Sequence, residues 1–285
     1  MISRIIPRLD VKGANLVKGV HLEGLRVLGK PEVFARHYYE QGADELLFFD
    51  VVASLYGRNS LLDLIERTAS EIFIPLVVGG GLRSLEDIRT VLRVGADKVT
   101  LNTAAVGRPE LISEAARRFG SSTIVVSIEA IRRSDGSYEA YTDNGREKTG
   151  LEAVAWAVQA AEMGAGELVI TAIDREGTGS GYDLDLTRRI AQAVPVPVIA
   201  CGGAGTMDHV AQVFETGAAA AAVASLLHYN FVRRDPTGRH QFADEINLAH
   251  LDQPGFARVE DTDLLQLKSF LAEHGLVSRP LPVHA

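Results

Sequence analysis

Cysteine is almost absent. Cys201 is the only one, so no internal disulfide can form and a reducing, cytoplasmic setting is expected. Long apolar runs are also missing. The longest, Ala218 to Leu227, is alanine-rich and too short to span a bilayer, so no membrane insertion is expected. The opening residues Met1-Ile-Ser-Arg-Ile-Ile-Pro7 lack the apolar core of a secretion signal and read as a strand. A basic excess is lacking too. The net charge of -8 and a pI near 5.5 count against nucleic acid as a partner. The histidines show no close metal-ligand spacing and Cys201 has no companion, so neither a metal nor another cofactor is expected.

What the chain does have is apolar content of 46% over 285 residues, enough for one large core in a single domain, 1–285. Strand-like runs lie near 4–10, 45–50, 73–79, 97–102, 123–129, 167–173, 196–201 and 219–225. Amphipathic helical stretches fall near 31–42, 59–71, 84–94, 108–119, 149–163, 183–193, 205–216 and 261–274. Eight strands, each followed by a helix, imply a parallel sheet. Closed into a ring this is an α/β (β/α)₈ TIM barrel; left open, it is a doubly wound sheet. An internal repeat favours the barrel. Gly42-Ala-Asp-Glu-Leu46 recurs as Gly164-Ala-Gly-Glu-Leu168, Ile74-Pro-Leu-Val-Val-Gly-Gly-Gly81 as Val196-Pro-Val-Ile-Ala-Cys-Gly-Gly203, and Val94-Gly-Ala96 as Thr216-Gly-Ala218. All three pairs are offset by 122 positions (42 to 164, 74 to 196, 95 to 217), as two fused half-barrels require.

Two stretches depart from a plain barrel. Arg132 to Gly145 carries Asp-Gly and Asn-Gly turn signals around a short β-like run and reads as a hairpin flap. A polar insertion at about 230–259 reads as a solvated loop or a substrate-binding lid.

Gly79-Gly80-Gly81 and Cys201-Gly202-Gly203-Ala-Gly205 each close a strand and open a helix, where bare backbone and a helix N-terminus favour an anion. Tight turns use the same glycines, but recurrence in both halves favours two phosphate sites across the barrel mouth. Asn102-Thr103 and Ala224-Ser225 end strands four and eight, where they either complete those sites or cap helices. Asp10 and Glu129 end strands one and five, suiting acid/base chemistry or ion pairing, and Asp50, Asp174 and Glu176 are near strand ends as well. Alternation puts Arg4, Ile6, Arg8 and Asp10 on one face of the first strand, ahead of a Gly/Asn loop carrying Lys12 and Lys18. At the opposite ends of four strands stand Arg4, Glu45, Lys98 and Glu167, a salt-bridged plug or a gate in the barrel floor.

With Asp10-Val-Lys and Val-Lys18-Gly, Gly95-Ala-Asp-Lys-Val, Asn102-Thr-Ala-Ala and Asp174-Arg-Glu-Gly-Thr, these motifs make the chain resemble the HisF family, the cyclase subunits of imidazole glycerol phosphate synthase. The resemblance implies a barrel that takes ammonia from a HisH-like glutaminase docked on its N-terminal face. Arg4, Glu45, Lys98 and Glu167 would be the ammonia gate and Asp97 a glutaminase contact. Asp10, Glu129 and Lys18 would be catalytic. A phosphorylated small molecule would be held by Gly80, Gly81, Asn102, Thr103, Glu176, Gly177, Gly202, Gly203, Ala224 and Ser225.

The chain also departs from the family. Glu129 and Glu176 stand where the family has aspartates, and Arg8 replaces a small cysteine inside the barrel. An extra methylene moves a carboxylate by more than about 1 Å, which can cost roughly a hundredfold in rate. Arg8 is expected to narrow an ammonia path and lower the pKa of nearby acids, or to pair with Glu129. The stretch Lys12 to Gly29, with Pro7-Arg-Leu-Asp and Ser127-Ile-Glu-Ala, looks like the HisF paralogues of acetamidino sugar modification in surface polysaccharides. There the barrel would supply ammonia to a sugar amidotransferase. The competing expectations are the cyclase of histidine biosynthesis, acting on a bisphosphorylated ribulosyl formimino-aminoimidazole carboxamide nucleotide, and a silent ammonia-conducting scaffold.

Overall fold

A computed structural model describes residues 2–52, 62–234 and 259–279. Eight parallel strands close on themselves. In chain order they are β1 (Arg4–Lys12), β4 (Leu46–Asp50), β5 (Leu76–Gly79), β6 (Lys98–Leu101), β7 (Ile124–Arg132), β10 (Glu167–Ala172), β11 (Val198–Cys201) and β12 (Ala220–Val223). Each pairs with the next, β7 pairs with β10, and β12 returns to β1, so no edge is left open. The open-sheet alternative is thereby excluded. The 122-residue repeat is structural: Leu76–Gly79 matches Val198–Cys201 and Lys98–Leu101 matches Ala220–Val223 (76 to 198, 98 to 220). The helices that follow the glycine turns start alike, with Ser84 and Thr206 hydroxyls accepting from Asp87 N and His209 N. Outward side chains of the strands pack under the helix ring, while Ile6, Leu47, Val77, Val125, Val169 and Ile199 form a separate apolar layer inside the barrel. Among the described residues no helix is long and apolar enough to cross a membrane.

Four expectations need correction. Both carboxylate-bearing strands run on past their acids, to Lys12 and Arg132. The stretch after β1 is a hairpin rather than a loop: β2 (Asn15–Val20) and β3 (Glu23–Gly29) pair antiparallel, and β2 pairs with β1. Its two-residue turn, His21-Leu22, has φ of 52° and 63°, a conformation usually given to Asn-Gly. Packing of Leu22 on Tyr141 and Ile173, and donation from His21 N to the Glu176 carbonyl at 2.8 Å, offset that cost. Third, the helix expected at 149–163 begins at Ala153, because Glu147–Glu152 (β9) pairs with β8 (Tyr138–Thr142). That pairing confirms the flap, since β8 lies antiparallel to β7. Fourth, the supposed loop at 230–259 starts as helix: Ser225–Arg234 is continuous, with Asn230 and Val232 buried. The rest of that insertion, 235–258, and the start of the helix expected at 59–71 fall outside the described residues.

The glycine turns depend on missing side chains. Gly80 and Gly203 have φ of 105° and 102°. A β-carbon would lie 2.4 Å from the Asp50 carbonyl oxygen at the first, and 2.1 Å from the Gly181 carbonyl oxygen at the second. Gly203→Ala is therefore expected to cost about 1–3 kcal/mol of stability, read as a lower urea midpoint at unchanged slope.

Candidate functional site

The inward faces of the strands stack four levels along the barrel axis. At the floor, Glu45 and Glu167 are each bridged by both Arg4 and Lys98. Arg4 Nη1 meets Glu45 Oε2 at 2.8 Å, Arg4 Nη2 meets Glu167 Oε1, and Lys98 Nζ reaches both acids at 2.9 Å. All four carboxylate oxygens are engaged, so the ring is closed. Asp97 is exposed beside it, its Oδ2 accepting from Leu76 N at 2.8 Å. The apolar layer comes next.

Above it Arg8 crosses the lumen. From β1 its Nη1 reaches Thr171 Oγ1 at 3.2 Å on β10 and Cys201 Sγ at 3.1 Å on β11. Its face lies 4.6 Å from the Phe49 ring centroid on β4, and Nε donates to Asp10 Oδ1 at 2.8 Å. The expected pairing of Arg8 with Glu129 is thus replaced by one with Asp10, two residues along the same strand face. Burial pushes the Cys201 thiol up, so it meets Arg8 as a neutral acceptor. The strand is fixed from outside by His228, whose Nε2 lies 2.8 Å from the Arg8 carbonyl and whose Nδ1 lies 2.7 Å from the Tyr38 hydroxyl. Burial lowers the His228 pKa to about 3, so the ring is neutral. Since a carbonyl only accepts, Nε2 carries the hydrogen and Nδ1 accepts from Tyr38.

At the mouth, Asp10 and Glu129 occupy matched positions. Each is the residue where a barrel strand passes into its antiparallel hairpin: Asp10 pairs with Phe49 and Val17, Glu129 with Thr171 and Tyr141. Glu129 Oε2 accepts from Gly145 N at 2.8 Å, and Asn102 reaches the same carboxyl. Burial raises the Glu129 pKa to about 7 against the opposing pull of Arg8. Arg8 thus pulls the Glu129 carboxyl down, as expected, but burial outweighs it. At Glu176 the balance reverses, and Lys18 and Arg8 overcome burial and keep the carboxyl below its ordinary range.

The structure gathers Gly80, Gly81, Asn102 and Thr103 with Glu129 around one cavity of about 60 Å³. Asn102 stands at a helix start yet makes no capping bond, and Thr103 Oγ1 accepts from Asp143 N at 3.1 Å, so neither is a simple cap. In the other half, Gly202 lies against Glu176, a β-carbon position being 3.2 Å from its Oε2, and Ser225 opens the next helix behind Ala224. Glu176 is not free there, because Lys18 Nζ sits on it. Lys18 belongs to β2 and is buried, rather than lying in an open loop. Gly177 lets that hairpin dock, since a β-carbon would lie 2.4 Å from the Gly19 carbonyl oxygen. The two hairpin tips meet over the mouth, where Asn144 Nδ2 donates to the Leu22 carbonyl at 3.2 Å.

Thr100 carries no mark in the sequence, and Asn144 reads there only as part of an Asn-Gly turn. The Thr100 hydroxyl is buried in the cavity wall without a hydrogen-bond partner among the described residues. Lys98, Thr100 and Asn102 share one strand face, so alternation was the available signal.

A half-barrel repeat with paired glycine turns, opposed carboxylates and a charged floor defines a (β/α)₈ barrel of two matched halves. The chain belongs to the histidine biosynthesis protein family, whose pattern matches residues 4–233. It is similar to proteins named imidazole glycerol phosphate synthase subunit HisF. The one from Legionella pneumophila is 56% identical over 205 residues, 72% of this chain and 97% of the relative. That from Alkaliphilus metalliredigens (strain QYMF) is 52% identical over 231 residues, covering 81% and 92%. That from Synechococcus sp. (strain CC9311) is 55% identical over 230 residues, covering 79% and 88%.

Unfolded, the Glu129 carboxyl ionises near 4.5; folded, near 7. The folded state holds the proton more tightly, so its contribution to stability is complete below pH 4.5 and is lost as pH rises to 7. Glu129→Gln should accordingly be more stable than the parent above pH 7, by about 3 kcal/mol, with the advantage gone at pH 4. Urea titrations at the two pH values measure it.

Proposed function

We propose that the chain is a HisF-type synthase subunit that uses ammonia on a phosphorylated ligand at the barrel mouth, in the cyclase reaction of imidazole glycerol phosphate synthase. The observation that carries this reading is the pair of carboxylates at matched positions of the two half-barrels, one of them in a cavity wall with Gly80, Gly81, Asn102 and Thr103. The names of the relatives support it. In this reading the two glycine cradles, with Asn102, Thr103, Gly177, Ala224 and Ser225 beside them, anchor the two phosphates of the nucleotide. Glu129 faces the atoms that react, Asp10 stands opposite it at the mouth, and Lys18 holds Glu176 at the second cradle. Ammonia enters from a HisH-like glutaminase that contacts Asp97, through the Arg4–Glu45–Lys98–Glu167 ring and the apolar layer.

A second reading is favoured by one observation. Arg8 spans the lumen and engages Asp10, so the mouth differs from a cyclase with two unencumbered aspartates. It is ammonia supply to a sugar amidotransferase in acetamidino modification of a surface polysaccharide.

With ammonium salts and the bisphosphorylated nucleotide, purified protein should form the imidazole product, and Glu129→Gln should lower the rate about a hundredfold or more. No product from protein that still binds inorganic phosphate would move the assignment to the sugar pathway. With a glutaminase partner present, Lys98→Ala should open the floor ring, so that glutamine hydrolysis continues while its coupling to product falls. Coupling unchanged from the parent would reduce the ring to a structural plug.

A further inference from the structure

The two mouth carboxylates share a backbone position but not a setting. Both point into the lumen, and the side chain two residues earlier lies directly below each. Below Asp10 that residue is Arg8; below Glu129 it is Ser127, buried and uncharged. Arg8 Nε grips Asp10 Oδ1 at 2.8 Å, and the same guanidinium is pinned by Thr171, Cys201 and the Phe49 ring, so it cannot leave Asp10 without losing partners on three other strands. Lys18 adds a second cation in electrostatic reach of Asp10. Among the described residues no cation is bonded to Glu129. Its partners are the Gly145 N–H and the Asn102 amide, and it lines the cavity, which Asp10 does not.

We propose that these two acids divide the work: Glu129 alone carries protons to and from the bound ligand, while Asp10 is an ion-paired positioning residue that holds Arg8 across the lumen. This rests on the HisF-type reading. As the nitrogen of ammonia bonds to the electrophilic carbon, it sheds a proton to the Glu129 carboxylate. The electron pair of the breaking carbon–nitrogen bond stays on the departing nitrogen, which takes that proton, and Glu129 ends as it began. The groups facing Glu129 are Arg8 and Asp10 from β1, Asp50 at the end of β4 and Arg83 in the wall of the same cavity, Asn102 beyond β6, Thr171 on β10, and Tyr141 and the Gly145 N–H on the flap. A raised Glu129 pKa of about 7 suits a group that must both give and take at neutral pH.

Three variants and one titration test the division. In ammonium-driven turnover of the bisphosphorylated nucleotide, Glu129→Gln should cost about a hundredfold or more and abolish the limb of the kcat/KM pH profile near neutrality. Asp10→Asn should cost roughly tenfold or less and keep that limb. In an Arg8→Met background, which removes the charge but keeps the bulk, Asp10→Asn should add little further loss, because no cation is left for Asp10 to hold. Equal, severe losses in the two single variants, with folding intact by circular dichroism, would overturn the division.

The titration needs no substrate. In protein labelled with ¹³C-glutamate, one carboxyl should titrate near neutrality, vanish in Glu129→Gln and move higher in Arg8→Met. If turnover is absent but this signal behaves so, the nucleotide assignment fails and the division of the acids stands. A Glu129 carboxyl titrating in the ordinary range would overturn the division whatever the turnover.

Discussion

A guanidinium withdrawn from water is costly unless every direction it faces offers a partner. Arg8 is the buried cation on which the interior of this barrel depends. Its partners come from four strands: Asp10 on its own, Phe49 on β4, Thr171 on β10 and Cys201 on β11. Removing one partner leaves the charge partly uncompensated, so these residues form a unit. The unit sits between the apolar layer and the mouth, and anything passing from floor to mouth must go by it.

The floor follows the same rule with a different outcome. Two cations and two anions alternate around the ring, each acid bridged twice, with the acids nearly sealed and the cations about one-fifth exposed. Charge at the floor is thereby neutralised within its own level, and charge above it within the Arg8–Asp10 and Lys18–Glu176 pairs. The Glu129 carboxyl is buried at the mouth, and among the described residues no salt bridge reaches it. Its raised pKa follows from burial.

Much of this was legible in the sequence because it depends on position. A repeat of constant offset gives the half-barrels, and alternation along Arg4, Ile6, Arg8 and Asp10 gives their shared direction. What was hidden depends on side chains that meet only in three dimensions. His21-Leu22 carries no turn signal and takes its left-handed backbone from contacts with Ile173 and Glu176, more than 150 residues away. Lys18 looked like a loop residue because the hairpin that places it is not written in Asn-Gly pairs. Arg8 has three carboxylates in electrostatic range, Asp10, Glu129 and Glu176, and only the geometry decides that it bonds to Asp10.

Duplication and divergence can be separated in the same way. The backbone keeps the duplicate pattern: matched strands, matched glycine turns and a hairpin leaving each acid-bearing strand. Side chains beneath the acids break it, with arginine on one side and serine on the other. A symmetric pair of bare carboxylates facing one cavity would each disfavour ionisation of the other. Placing a cation under one of them ties that one into an ion pair and leaves the other without such a bond among the described residues. The asymmetry therefore resides in Arg8 and Ser127, one level below the groups it distinguishes.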